Sequence, residues 1–140
     1  MREIVVVDTN KIFSALLRPS GIRAILLSNS YQFVAPNFIG VEIFKHYPKI
    51  IKHSSHSAKE IVELYRILTD NIEYIIPTKI SLENRQKAYD LTADIDLKDI
   101  VYVALALEVG GKLWTGDDRL KQGLLRKGFD RFFEPTNPHL

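Results

Sequence analysis

Ile4-Val5-Val6-Val7-Asp8-Thr9-Asn10 is the stretch from which the rest of the chain is read. Its β-branched run has the composition of a central parallel strand buried on both faces, and it stops at an acid followed by two polar residues. Open α/β sheets keep their functional crevice outside the carboxyl ends of the strands. Asp8 therefore stands where chemistry is expected, and a charge ending a central strand needs solvent or a partner. A second short strand, Lys112-Leu113-Trp114-Thr115, ends in the same way at Gly116-Asp117-Asp118. Two strands far apart in sequence thus bring a carboxylate to what reads as one sheet edge.

Outward from the first strand (residues 3–8), Asn10 is placed to cap a helix that Pro19-Ser20-Gly21 breaks, and Ser20 caps the next. Residues 31–35 read as the second strand. Pro36-Asn37 then starts a helix carrying Phe38, Val41, Glu42 and Lys45, and Tyr47-Pro48 with the polar run His53-Ser54-Ser55-His56 reads as a connection. Ser57-Ala58-Lys59-Glu60 is a capping box, and the helix it opens sets Ile61, Leu64, Tyr65 and Leu68 on one stripe. Strand 3 (residues 73–76) stops at Pro77. A helix over 81–91 follows, then one over 97–109 capped by Asp96 and stopped by Gly110-Gly111. Strand 4 (112–115) and strand 5 (131–134) flank a short basic helix. Strands alternating with helices predict an α/β fold around a mostly parallel, five-stranded sheet covered on both faces.

Composition sets the bounds. At 140 residues the chain has the length of a single domain, residues 1–140, with a core that needs no staples. Hydrophobic residues at 46% and charged residues at 26% are ordinary for a water-soluble protein, and no apolar run approaches the roughly 18 residues of a membrane span. With no cysteine there is neither a disulfide framework nor a thiolate metal site, and the first residues enter a strand directly. A cytoplasmic location is the expectation. A net charge of +2 permits a nucleic-acid partner without arguing for one.

Four acids carry the functional argument: Asp8, Glu42, Asp99 and Asp117. Hard cations such as Mg²⁺ take oxygen ligands and are held by a few carboxylates together with substrate phosphates. Clustered anions repel one another unless a cation neutralises them, so gathering would be informative. Each acid alone has a structural explanation. Asp8 can serve as a turn residue, Glu42 can pair with Lys45 or His46, Asp99 suits a helix N-terminus and Asp117 can cap the last helix.

The order of these motifs resembles the PIN domain, a family of metal-dependent nucleases. The resemblance rests on Val7-Asp8-Thr9-Asn10 with Ser14-Ala15-Leu16-Leu17 behind it, Glu42 on a helix after Pro36, Asp99-Ile100-Val101-Tyr102-Val103-Ala104-Leu105-Ala106, and Thr115-Gly116-Asp117. It spans residues 3–134 and implies a three-layer α/β/α sandwich. It further implies that Asp8, Glu42, Asp99 and Asp117 surround one or two Mg²⁺ or Mn²⁺ ions. Asp8, Asp99 and Asp117 are the metal ligands in this reading, with Glu42 and Asp96 as further candidates. Thr9, Asn10 and Thr115 match polar supporting positions. Asp96 is read chiefly as the helix cap.

The activity so implied is hydrolysis of single-stranded RNA by a Mg²⁺/Mn²⁺-dependent endoribonuclease, including the toxin of a toxin–antitoxin pair with a protein antitoxin as partner. Lys11, Lys45, Arg119 and Lys121 are candidates for substrate phosphates, with Arg126 and Lys127 nearby; their plain alternative is a solvated surface. Two rivals stand beside this reading: a non-catalytic nucleic-acid- or protein-binding module of the same fold, and a haloacid-dehalogenase-like phosphatase, disfavoured because Asn10 replaces the second acid of that motif. His46, His53 and His56 lack the spacing of a zinc site. The helix over 97–109 is apolar nearly all round, which suits a core helix, with a homodimer surface as the alternative. No glycine-rich phosphate loop of the Walker type is present.

Overall fold

The computed structural model describes residues 2–135. The chain runs β1 (Glu3–Val7), α1 (Thr9–Leu17), α2 (Gly21–Leu26), β2 (Tyr31–Pro36), α3 (Ile39–Lys45), α4 (Tyr47–His53), α5 (Ala58–Thr69) and β3 (Ile72–Ile75). It continues through α6 (Leu82–Thr92), α7 (Ile100–Val109), β4 (Lys112–Trp114) and α8 (Asp118–Arg126). Short 3₁₀ turns at Pro77–Lys79 and Leu97–Asp99 precede α6 and α7.

The sheet has the order β3-β2-β1-β4 with every pair parallel, so the fold is the expected α/β/α sandwich. Helices α1 to α5 pack among themselves, while α7 lies on β1, β2 and β4 with α6 and α8 behind it. Val5, Val6 and Val7 are each fully buried, as a central strand covered on both faces requires. Such burial contributes about 1.5–3 kcal/mol per side chain. Phe33, Leu113 and Trp114 extend the core across the sheet, and Phe33 stacks on Trp114 at 6.2 Å.

The strand count departs from expectation: the sheet has four strands, and the predicted fifth is reduced to one parallel bridge between Leu113 and Phe132. Leu113 donates its N–H to Arg131 and accepts from Phe133, both at 2.9 Å. The rung is real, but β4 is only three residues long and gives it nothing to extend along.

Two local readings also change. Asp8, not Asn10, caps α1: its backbone is extended and its side chain accepts from the Asn10 N–H. Tyr47-Pro48 opens α4 rather than a connection, because a proline in the first helical turn loses no intrahelical hydrogen bond. The other signals hold. Ser57 and Glu60 form the capping box, and Gly110 ends α7 at φ 65°, the left-handed conformation glycine adopts without a Cβ penalty. The middle of α7, Tyr102 to Ala106, is buried, which makes it a core helix.

Candidate active site

Parallel neighbours in a sheet end on the same side, so pairing β1 with β4 sets their carboxyl ends together. The ladder extends one residue past β1: the Asp8 N–H donates to the Trp114 carbonyl at 3.1 Å. That rung brings Asp8 beside Thr115. The Thr115 hydroxyl donates to Asp8 Oδ2 at 2.8 Å and accepts from the Asp117 N–H at 3.1 Å. One buried hydroxyl therefore holds both strand-end acids in register. Asp117 also caps α8, accepting from the Leu120 N–H at 3.1 Å.

The remaining acids come from the helices. Glu42 is exposed on the first turn of α3. Asp96 caps the 3₁₀ turn ahead of α7, accepting from the Lys98 N–H at 2.9 Å. Asp99 directly precedes α7, yet its side chain makes no capping hydrogen bond. Asp96 is the backbone cap expected from sequence, and the Asp99 carboxylate makes no such bond.

All of them line one cavity of about 340 Å³, together with Thr9, Asn10, Lys45, His46, Lys98 and Tyr102. Burial pushes the Asp99 carboxyl up to about 7, and the charges of Asp8, Asp96, Asp117 and Glu42 push in the same direction. Asp8, only 5% exposed, is also raised, chiefly by burial. Hydrogen bonds from Thr115 and Asn10 work against that rise.

This surplus of negative charge is what a cation would relieve. The carboxylates offer the oxygen donors that suit Mg²⁺ or Mn²⁺, and they retain acceptor sites beyond the hydrogen bonds they make here. The donor set therefore fits such an ion in kind. The acids are not drawn into a ready cage: among the described residues, no three His, Asp or Glu side chains form a metal-holding group. Mutual repulsion opposes such convergence until a counter-charge is present.

The candidate cations are distributed unevenly. Lys45 lines the acidic cavity. Lys11 lies over the Trp114 ring at 5.6 Å, and burial, then Lys121, lower its pKa against the pull of Asp8. Lys121 pairs with Glu134 at 2.9 Å. Arg119 lines a different cavity with Arg126, Lys127, Asp94, Ile95 and Gly123. Lys127 pairs with Asp94 and donates to the carbonyl of Leu91 at 3.1 Å, closing the end of α6. His56 pairs with Glu60, away from His46.

Sequence reasoning passed over Tyr102, His46 and Lys98 as cavity residues. Tyr102 is 3% exposed, sits edge-on to Phe38 at 6.0 Å, and meets the Thr9 hydroxyl with its own. Burial raises its pKa, so it remains a protonated phenol at neutral pH. The one local hint is that Tyr102 follows Asp99 by three residues, a spacing that sets both on one face but is shared by many core side chains.

A family model described as PIN domain matches residues 6–132. Comparison with curated proteins gives no match.

Proposed function

The chain belongs to the PIN domain family, a family of nucleases, and from that premise we propose that it is a Mg²⁺- or Mn²⁺-dependent endoribonuclease acting on single-stranded RNA. The observation that carries this reading is the gathering of Asp8, Glu42, Asp99 and Asp117, four carboxylates with oxygen donors, around one cavity. When bound, the cation supplies activation of water for in-line attack on a phosphodiester and stabilisation of the leaving oxygen.

The chain's own residues divide the remaining work. Asp8, Asp99 and Asp117 would hold the ion, with Glu42 and Asp96 as further candidate ligands. Glu42, exposed on α3, orients the attacking water or takes its proton. Thr115 keeps Asp8 and Asp117 in register through its hydroxyl, and Thr9 and Asn10 support the first turn of α1. Lys45 at the cavity attracts the RNA backbone, and Lys11, Lys121 and Arg119, which lie outside its lining, would extend that attraction along the surface.

Among the described residues no helix is long and apolar enough to cross a membrane. The finer reading, a cytoplasmic toxin of a toxin–antitoxin pair, rests on the family resemblance alone. An adjacent antitoxin gene whose product co-purifies with the chain is the expected finding for that part.

The purified protein should cleave labelled single-stranded RNA with Mg²⁺ or Mn²⁺ and stop when the metal is chelated. Equal cleavage with and without chelator would remove the metal-dependent reading. A non-catalytic binding module is the second reading, favoured by the lack of a ready three-ligand group among the described residues. RNA binding without cleavage at any metal concentration would establish it instead.

A further inference from the structure

The lining of the acidic cavity includes a pair of hydroxyls that the carboxylate chemistry leaves unused. Thr9 is 7% exposed and Tyr102 is 3% exposed. Thr9 is the first residue of α1 and Tyr102 stands in the first turn of α7, so their hydrogen bond ties the two helices together beneath the site. Among the described residues neither hydroxyl has another side-chain partner.

Counting protons gives the consequence. The two hydroxyls carry one proton each, and a single hydrogen bond between them uses one. Whichever oxygen donates, one O–H is left over, and a buried O–H without an acceptor is costly. Both residues line the same cavity as Asp8, Glu42, Asp99 and Asp117. Among the described residues no acceptor takes that proton, and the cavity that both residues line can supply one. A neutral donor there suits an anionic oxygen that arrives with its own counter-charge, and does not suit a bare cation.

We propose that the Thr9–Tyr102 pair is a phosphate-oxygen donor, in which Tyr102 orients the Thr9 hydroxyl and the surplus O–H bonds a non-bridging oxygen of the bound phosphate. The inference rests on the ribonuclease reading of the same cavity and adds a specific recognition element to it. Tyr102 is a positioning residue. Phe38, edge-on at 6.0 Å, fixes the plane of its ring. The pair acts as a unit, because removing either hydroxyl leaves the other without its orienting partner.

The test measures binding, not turnover. Adenosine 5′-monophosphate with Mg²⁺ offers a phosphate and no bond to cleave, and calorimetry reads its affinity for the wild type and for Thr9→Val, Tyr102→Phe, the double variant and Thr9→Ser. Each of the first two should weaken binding by about tenfold, the loss expected for one hydrogen bond to a charged acceptor. The double variant should be no weaker than the singles, and Thr9→Ser should bind like wild type because it keeps the hydroxyl. Melting curves confirm that each variant is folded.

Unchanged affinity in folded Tyr102→Phe and Thr9→Val would overturn the inference, even where the wild type cleaves RNA with metal. Losses that multiply in the double variant would overturn the shared-unit argument. A wild type that neither binds the nucleotide nor cleaves RNA would overturn both this inference and the reading beneath it.

Discussion

Replacing Asp99 by Asn should make the metal-free protein more stable, and the size of the effect follows from the cavity. Burial, reinforced by Asp8, Asp96, Asp117 and Glu42, moves the Asp99 carboxyl from 3.8 to about 7. At face value that displacement corresponds to about 4 kcal/mol. Asp99 is only half-buried, and screening by solvent reduces the figure to about 1–2 kcal/mol. Its sign is fixed by linkage. Below pH 4 the carboxyl is protonated in both states and contributes nothing. As pH rises from about 4 to about 7 the unfolded chain releases its proton while the folded chain retains it, so stability falls, and above 7 the full penalty persists. Asn resembles the protonated acid and escapes the penalty. In chelator at pH 8, urea denaturation should therefore find Asp99→Asn about 1–2 kcal/mol more stable than wild type, and the gap should vanish near pH 4. Mg²⁺ should narrow it at pH 8, because the ion stabilises the wild type by mass action. A variant no more stable at pH 8, or one whose gain is undiminished at pH 4, would refute the electrostatic account of the cavity.

Three further outcomes are expected. Asp8→Asn and Asp117→Asn should stay folded and lose nearly all metal-dependent RNA cleavage, since the amide retains a capping oxygen without the charge; wild-type turnover at matched metal would remove either residue from the site. Asp96→Ala should lose about 0.5–2 kcal/mol of stability with a smaller loss of cleavage, and excess Mn²⁺ should not restore the stability, because the defect is an uncapped turn. Gly111→Ala should destabilise by about 1–3 kcal/mol, because a Cβ there would lie 2.9 Å from the backbone oxygen of Ile4; an unchanged melting temperature would show that β1 and β4 can separate at that point.

What the sequence disclosed was set by how local each signal is. The valines of β1, the Ser57–Glu60 box and the glycine stop after α7 each depend on a few neighbouring residues, and each lies where its pattern places it. Pro48 misled because proline both breaks helices and begins them, and α4 hinges on which of these applies. The fifth strand fell short because its partner is itself only three residues long, a fact about β4 and not about residues 131–134. At the site, Asp8, Asp99 and Asp117 stand out by their places beside strand and helix ends, while Glu42, inside α3, is marked by the family resemblance. The links between them could not be read in this way. Thr115 reaches Asp8 across 107 positions, and Tyr102 reaches Thr9 across 93. Such contacts exist only once the sheet order is known, and a tyrosine inside Ile100-Val101-Tyr102-Val103 reads as one more core side chain.

The Thr115 hydroxyl also has a meaning in time. Synthesis delivers the amino-terminal part of a chain first, and local units fold as they emerge. β1 and β2 are neighbours early in the chain and can pair long before Thr115 has been translated. β4 must arrive later and dock against the free edge of β1, closing the longest loop in the sheet. Until it does, Asp8 has no Thr115 beside it and Asp117 has no place at the strand end. A ribosome-bound fragment that ends before β4 therefore has three of the four strands and no assembled acid site. The fold carries its own delay, and the cavity is completed only after nearly all of the described chain has been made.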